Sequence, residues 1–135
     1  MEFSESTRVL AGILLLALVT VETGGLYLTR LVRGLAPATP FQLGFARAGH
    51  AHAGVLLILS LVMQFYVDGS GLTGLAEWAA RSLVPIAAIL MPAGFFFSSL
   101  GAGRTTANKW FALVLLGGLS LAVGLATLGI GLLVT

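Results

Sequence analysis

The segment "ARAGHAHAGVLLILSLV", residues 46–62, holds both histidines of the chain, His50 and His52, at the mouth of a long apolar run. An imidazole nitrogen ligates haem iron and transition-metal ions, and the ring titrates near neutral pH. Glu22 lies inside another apolar run, "LAGILLLALVTVETGG". A carboxylate there costs at least a few kcal/mol if it faces lipid, so an ionisable group at that depth marks a site and calls for a partner. Met91, beside Pro92, is the remaining soft donor at a comparable depth. The candidate cofactor ligands are therefore His50, His52 and Met91, and the candidate metal ligands are His50, His52 and Glu22.

Helix geometry decides how such residues can cooperate. Residues two apart on a regular helix project about 200° apart around the axis. His50 and His52 then serve different faces, and they converge on one ion only where the segment is irregular, which Gly49 and Gly54 allow. With His50 lie Gly54, Leu57, Leu61, Gln64 and Asp68, a partly polar stripe, and Asp68 reads as a marker of the membrane interface. With His52 lie Leu56, Leu59, Met63 and Tyr66. Met63 stands roughly 16 Å along the helix from His52 and is no second axial ligand. Glu22 shares its face with Leu15, Val19, Leu26, Thr29 and Arg33. It is expected to turn toward the bundle and to pair with His50, His52 or, in competition, Arg47. A carboxylate so placed orients a ligating histidine through its other ring nitrogen, or relays a proton with it.

The elements that position these residues follow from composition. Of 135 residues, 58% are hydrophobic and 9% charged, and the mean hydropathy is +1.04. A soluble domain is about one quarter charged, so this chain is solvated by lipid. Stretches near the roughly 20 residues that cross a bilayer occur four times, at about 9–29, 48–67, 79–100 and 110–134. The fold class is all-α, a single integral membrane four-helix bundle. Pro37 and Pro40 end the first span, whereas Pro85 and Pro92 kink the third without ending it. The start of the chain carries Glu2 and Glu5 and closes on no small-residue cleavage site, so it reads as a retained first helix. Gly118, Ala122 and Ala126 recur every fourth residue on the last span and form the expected packing ridge. "GFFFSS", residues 94–99, reads as lipid-facing or core filler.

Charge sets the orientation. Arg30, Arg33, Arg47, Arg104 and Lys109 flank two loops, against Arg8 and Arg81 beside Glu2, Glu5, Asp68 and Glu77 at the other end. The positive-inside rule puts the basic loops in the cytoplasm and both termini outside, with Trp78 and Trp110 at opposite interfaces. Seven basic residues against five acidic make no nucleic-acid footprint. The chain has no cysteine, which excludes disulfides, thiolate metal sites and CxxCH haem attachment. No nucleophile constellation or phosphate loop is present.

"GHAHAGVLLIL", residues 49–59, resembles the HxH helix of the catalytic subunit of haem–copper oxidases and nitric oxide reductases. There, two histidines at this spacing project to opposite sides of one helix and ligate two different haems; His50 and His52 hold the matching positions. The family's further helices and histidines have no counterpart here. The four-span layout, with HxH opening the second span, also resembles a group of small bacterial four-helix membrane proteins, which implies a bacterial cytoplasmic membrane. The resulting expectation is a small membrane protein that binds haem b or a transition metal, in a redox-linked role, as a homo-oligomer or as a subunit of a membrane complex. The alternative is a cofactor-free accessory subunit, or a proton or small-solute carrier, in which the His/Glu cluster is structural or a relay.

Overall fold

The computed structural model describes residues 2–134 and is all-α. Helix α1 spans Glu5–Val32, α2 Pro40–Gly69, α3 Gly74–Ser98 and α4 Ala112–Val134, with a short 3₁₀ turn, Lys109–Phe111, leading into α4. All four helices are long and apolar enough to cross a bilayer. The chain is a membrane four-helix bundle.

Local chemistry sets the boundaries. Ser4 caps α1 by accepting from the Thr7 amide. At its other end Gly34 takes φ 69°, the left-handed conformation a helix terminus asks of glycine, and the Leu35 amide returns to the Arg30 carbonyl. The second helix begins eight residues earlier than its apolar run. Pro40 sits at the start of α2, where a missing N–H is no loss. Thr39 and Gln42 form a reciprocal capping box around it. The same proline that was expected only to forbid helix continuation thus opens the next helix. His50 and His52 consequently lie well inside regular helix, and the irregular geometry that would let both rings reach one ion is absent.

Helix α3 is the hub. It packs on α2 and α4, while α1 packs mainly along α2. Two core clusters follow each other along the bundle: Leu14, Leu56, Leu57, Ala87 and Ala88, then Met63, Val67, Ala80, Val84 and Leu128. The α3–α4 seam corrects the expected ridge. Ala122 and Ala126 are exposed, and a Cβ on Gly118 would meet nothing within 4 Å. The packed stripe is Val114, Gly117, Leu121, Gly124, Leu128 and Gly131, which alternates steps of three and four with glycine at every seventh position. A Cβ on Gly117 would stand 2.5 Å from Met91 Cγ, and one on Gly124 3.0 Å from Val84 Cγ2. From α3, a Cβ on Gly94 would come within 2.6 Å of the Val114 backbone nitrogen. Without a hydrophobic force between helices in lipid, this close approach is what joins them.

Candidate functional site

His50 and His52 diverge, as a regular helix requires. The His50 ring lies on α1 at the Gly24–Gly25 step. A Cβ on Gly25 would stand 3.2 Å from His50 Cε1, and one on Gly24 3.6 Å from His50 Nδ1. Gly25 leaves the room the ring occupies, whereas a Cβ on Gly24 would be in ordinary contact with it. His50 opens on a shallow groove of about 550 Å³, lined also by Glu22, Gly25, Leu26, Thr29 and Val32. The ring makes no hydrogen bond among the described residues.

His52 turns toward α3. Its ring centroid is 5.0 Å from that of Phe95, at the margin of an aromatic group formed with Phe45 and Phe111. His52 Nδ1 stands 2.7 Å from the Ala48 carbonyl oxygen. A carbonyl only accepts, so Nδ1 carries the hydrogen and Nε2 is the nitrogen left for a ligand. Phe95, from "GFFFSS", lies against the histidine ring at a tilt of 37°.

Glu22 departs from expectation. It is exposed on the outer surface of α1 and hydrogen-bonds to neither histidine nor to Arg47, which is itself exposed. The cause is angular. Leu14, Val21, Gly24 and Leu31 occupy the α1 face that meets α2, and Glu22 projects beside that face. Glu22 and His50 share a groove without touching. Met91 is placed in the α3–α4 seam against Gly117 and beside the first core cluster, so its thioether packs between helices. Among the described residues, no group of three or more histidine, aspartate or glutamate side chains could hold a metal ion.

The polar cluster that does form lies at the opposite end of the bundle. Arg81 is 7% exposed. Its NH2 donates to Asp68 Oδ1 at 2.7 Å, its Nε to Glu77 Oε1 at 2.9 Å, and its NH1 to Thr7 Oγ1 at 2.8 Å. The Thr7 hydroxyl passes its own hydrogen to the Gln64 carbonyl at 3.3 Å, and Asp68 accepts from the Ser4 amide and hydroxyl. Gln64, fully buried, donates from Nε2 to the Arg81 carbonyl at 3.0 Å. Pro85, four residues on, has no N–H to offer that carbonyl, and Gln64 takes its place. Every buried side-chain polar atom among the described residues has a partner. The signal for this network was in the sequence, as Gln64, Asp68 and Arg81 inside or beside apolar runs with a proline one turn past Arg81. The expectation had attached Gln64 and Asp68 to the His50 stripe. In comparisons with known families, with curated proteins and with solved structures, nothing matches this chain.

Proposed function

We propose that the chain is a small membrane protein that holds a haem or a transition-metal ion, with His50 and His52 each giving one ligand on its own flank of α2. The observation that carries this reading is the divergence of the two rings, each with an uncommitted nitrogen. His50 faces an open groove at the α1 flank. His52 is held by the Ala48 carbonyl at Nδ1 and by the Phe95 ring, the arrangement that presents Nε2 to a metal. Each flank offers one imidazole, so a haem iron that needs two protein ligands would draw the other from a second chain. Glu22, on the rim of the His50 groove, would accept a hydrogen bond from a group bound there. The basic end of the bundle faces the cytoplasm, in a bacterial inner membrane.

The test is the visible spectrum and metal content of protein purified from its own membranes. A Soret band, or stoichiometric metal, that is lost in His50→Ala and reduced in His52→Ala supports the reading. Glu22→Ala is expected to weaken binding by about tenfold and Glu22→Gln by less, because the amide oxygen still accepts a hydrogen bond. Colourless, metal-free protein whose assembly survives the His50→Ala/His52→Ala double substitution overturns it. A second reading, a cofactor-free accessory subunit or proton carrier, is favoured by the lack of any three-ligand group among the described residues. That same null result would select it.

A further inference from the structure

Arg30, Arg33, Arg47, Arg104 and Lys109 lie toward one end of the bundle with no carboxylate at their depth. Among the described residues the ion pairs are those of Arg81 with Asp68 and Glu77, at the other end. The guanidinium groups of Arg33 and Arg47 are exposed and bond to no other described residue. Neither sheds its charge by losing a proton, because arginine stays charged at any working pH. Glu22, the nearest carboxylate, stands roughly 9 Å farther into the span than Arg47. The counter-charge for this end therefore comes from outside the chain.

Two of the five border the groove that His50 shares with α1. Arg33 follows Thr29 by four residues, roughly 6 Å along α1 and 40° around it, and so extends the α1 wall of the groove. Arg47 precedes His50 by three residues, roughly 5 Å along α2 and 60° around it, and extends the facing wall. Gly49 meets Phe96 of α3, and Arg47, about 200° from it, projects on the groove side. The His50 ring is level with Gly24 and Gly25, which sets Arg47 level with Leu28 and about 8 Å short of Arg33 along the bundle. Below these cations the groove wall is apolar, with Gly25, Leu26, Leu28 and Val32. It is open to the bilayer, since Leu26 and Val32 are 71% and 52% exposed.

We infer that the groove between α1 and α2 seats an anionic phospholipid of the surrounding bilayer, its phosphate between Arg33 and Arg47 and an acyl chain along Gly25, Leu28 and Val32. A lipid carries both parts on one molecule, and the bundle offers their complements in the same order, cations at the edge of the hydrocarbon and an apolar wall beneath them. The planar guanidinium fork suits phosphate oxygens. A free anion gains nothing from the wall. A second copy inserted the same way brings cations of its own to that depth, so the counter-charge comes from the lipid whether or not a second chain is near. The seat requires no cofactor and its polar part lies nearer the surface than His50, so it stands or falls separately from the spectrum.

Quenching of a single tryptophan by brominated lipid tests the seat on the full chain in vesicles. In a Trp78→Phe/Trp110→Phe background, one reporter is placed on the groove, Leu26→Trp, and one away from it on α4, Leu116→Trp, where the native leucine is 54% exposed. Each is reconstituted into mixed phosphatidylcholine and phosphatidylglycerol, with bromine on the chains of one lipid or the other. A preference for phosphatidylglycerol of about fivefold or more is expected at 26 and much less at 116, since one arginine near a phosphate layer contributes about that factor. Arg33→Gln/Arg47→Gln should abolish the preference at 26, whereas Lys109→Gln leaves it. Equal preference at both reporters overturns the inference, and so does a preference at 26 that survives Arg33→Gln/Arg47→Gln. Loss of the preference when inorganic phosphate replaces chloride at equal ionic strength would give the arginines to a soluble anion and overturn it too. If the tryptophan-free background fails to insert, native mass spectrometry of the wild-type chain released from the same vesicles decides the matter. Retained phosphatidylglycerol that is lost in Arg33→Gln/Arg47→Gln supports the seat, and equal retention, or none, overturns it.

Discussion

At Arg81 one guanidinium reaches a carboxylate on α2, a carboxylate on its own helix and a hydroxyl on α1. Its side chain is only 9% exposed, and removing it leaves Asp68 with the Ser4 amide and hydroxyl but no cation. Arg81→Ala is expected to destabilise the bundle by about 3–5 kcal/mol, measured by reversible unfolding in detergent, because breaking a buried pair leaves a charge uncompensated. Glu77 offers the contrast. Its side chain is 37% exposed, and Glu77→Ala should cost no more than about 1 kcal/mol in the same assay. At the histidine site the sensitive neighbour is a glycine. Gly25→Val places a branched side chain against the His50 ring, so on the proposed cofactor-binding reading it should lower bound haem or metal as far as His50→Ala does while leaving His50 in the sequence. Full cofactor content in Gly25→Val would show that the ring position does not matter to binding.

Among the elements, α3 and α4 depend on glycine for their spacing. Gly94→Ala drives a methyl group against the Val114 backbone, which cannot swing aside as a side chain does. A loss of about 1–3 kcal/mol is expected from this overpacking. Gly118→Ala, on the same helix pair, meets nothing and should be neutral or stabilising by up to about 1 kcal/mol. Thermal unfolding of the two variants side by side checks the contrast. The four helices themselves were legible, because a chain so poor in charge can fold only as spans. The seam was legible in principle, but α4 is apolar on every side, so both the step of four through Gly118 and the step of seven through Gly117 fit the letters. Only the neighbour on α3 chooses between them. The start of α2 was misread for a related reason. Pro40 stops a helix or begins one, and Thr39 and Gln42 were the local residues that decided it. The divergence of His50 and His52 followed from helical geometry alone. The partner of Glu22 did not, because whether a residue beside the α1–α2 contact turns in or out depends on a helix rotation that α1 takes from packing Leu14 and Leu31 inward.

The bundle as a whole is electrically lopsided. Arg30, Arg33, Arg47, Arg104 and Lys109 lie toward one end, while Glu2, Glu5, Asp68 and Glu77 share the other with Arg8 and Arg81. A topology reporter fused after Thr135 is expected to read extracytoplasmic. A cytoplasmic signal would reverse the orientation and move both histidines to the outer half of the bilayer. Because the Arg81 group is shielded from solvent, its contribution to unfolding should also change little between low and high salt, unlike that of exposed pairs.

The attachment of α1 has a consequence for motion. It packs along one neighbour through Leu14 and the residues after it, and its polar ties to the rest of the bundle lie at the acidic end, at Ser4 and Thr7. Helices α2, α3 and α4 are stitched to one another through α3 along most of their length. The least expensive excursion from the native state is therefore a swing of α1 away from a persisting three-helix body, and it starts when Ser4 releases Asp68 and Thr7 releases Arg81.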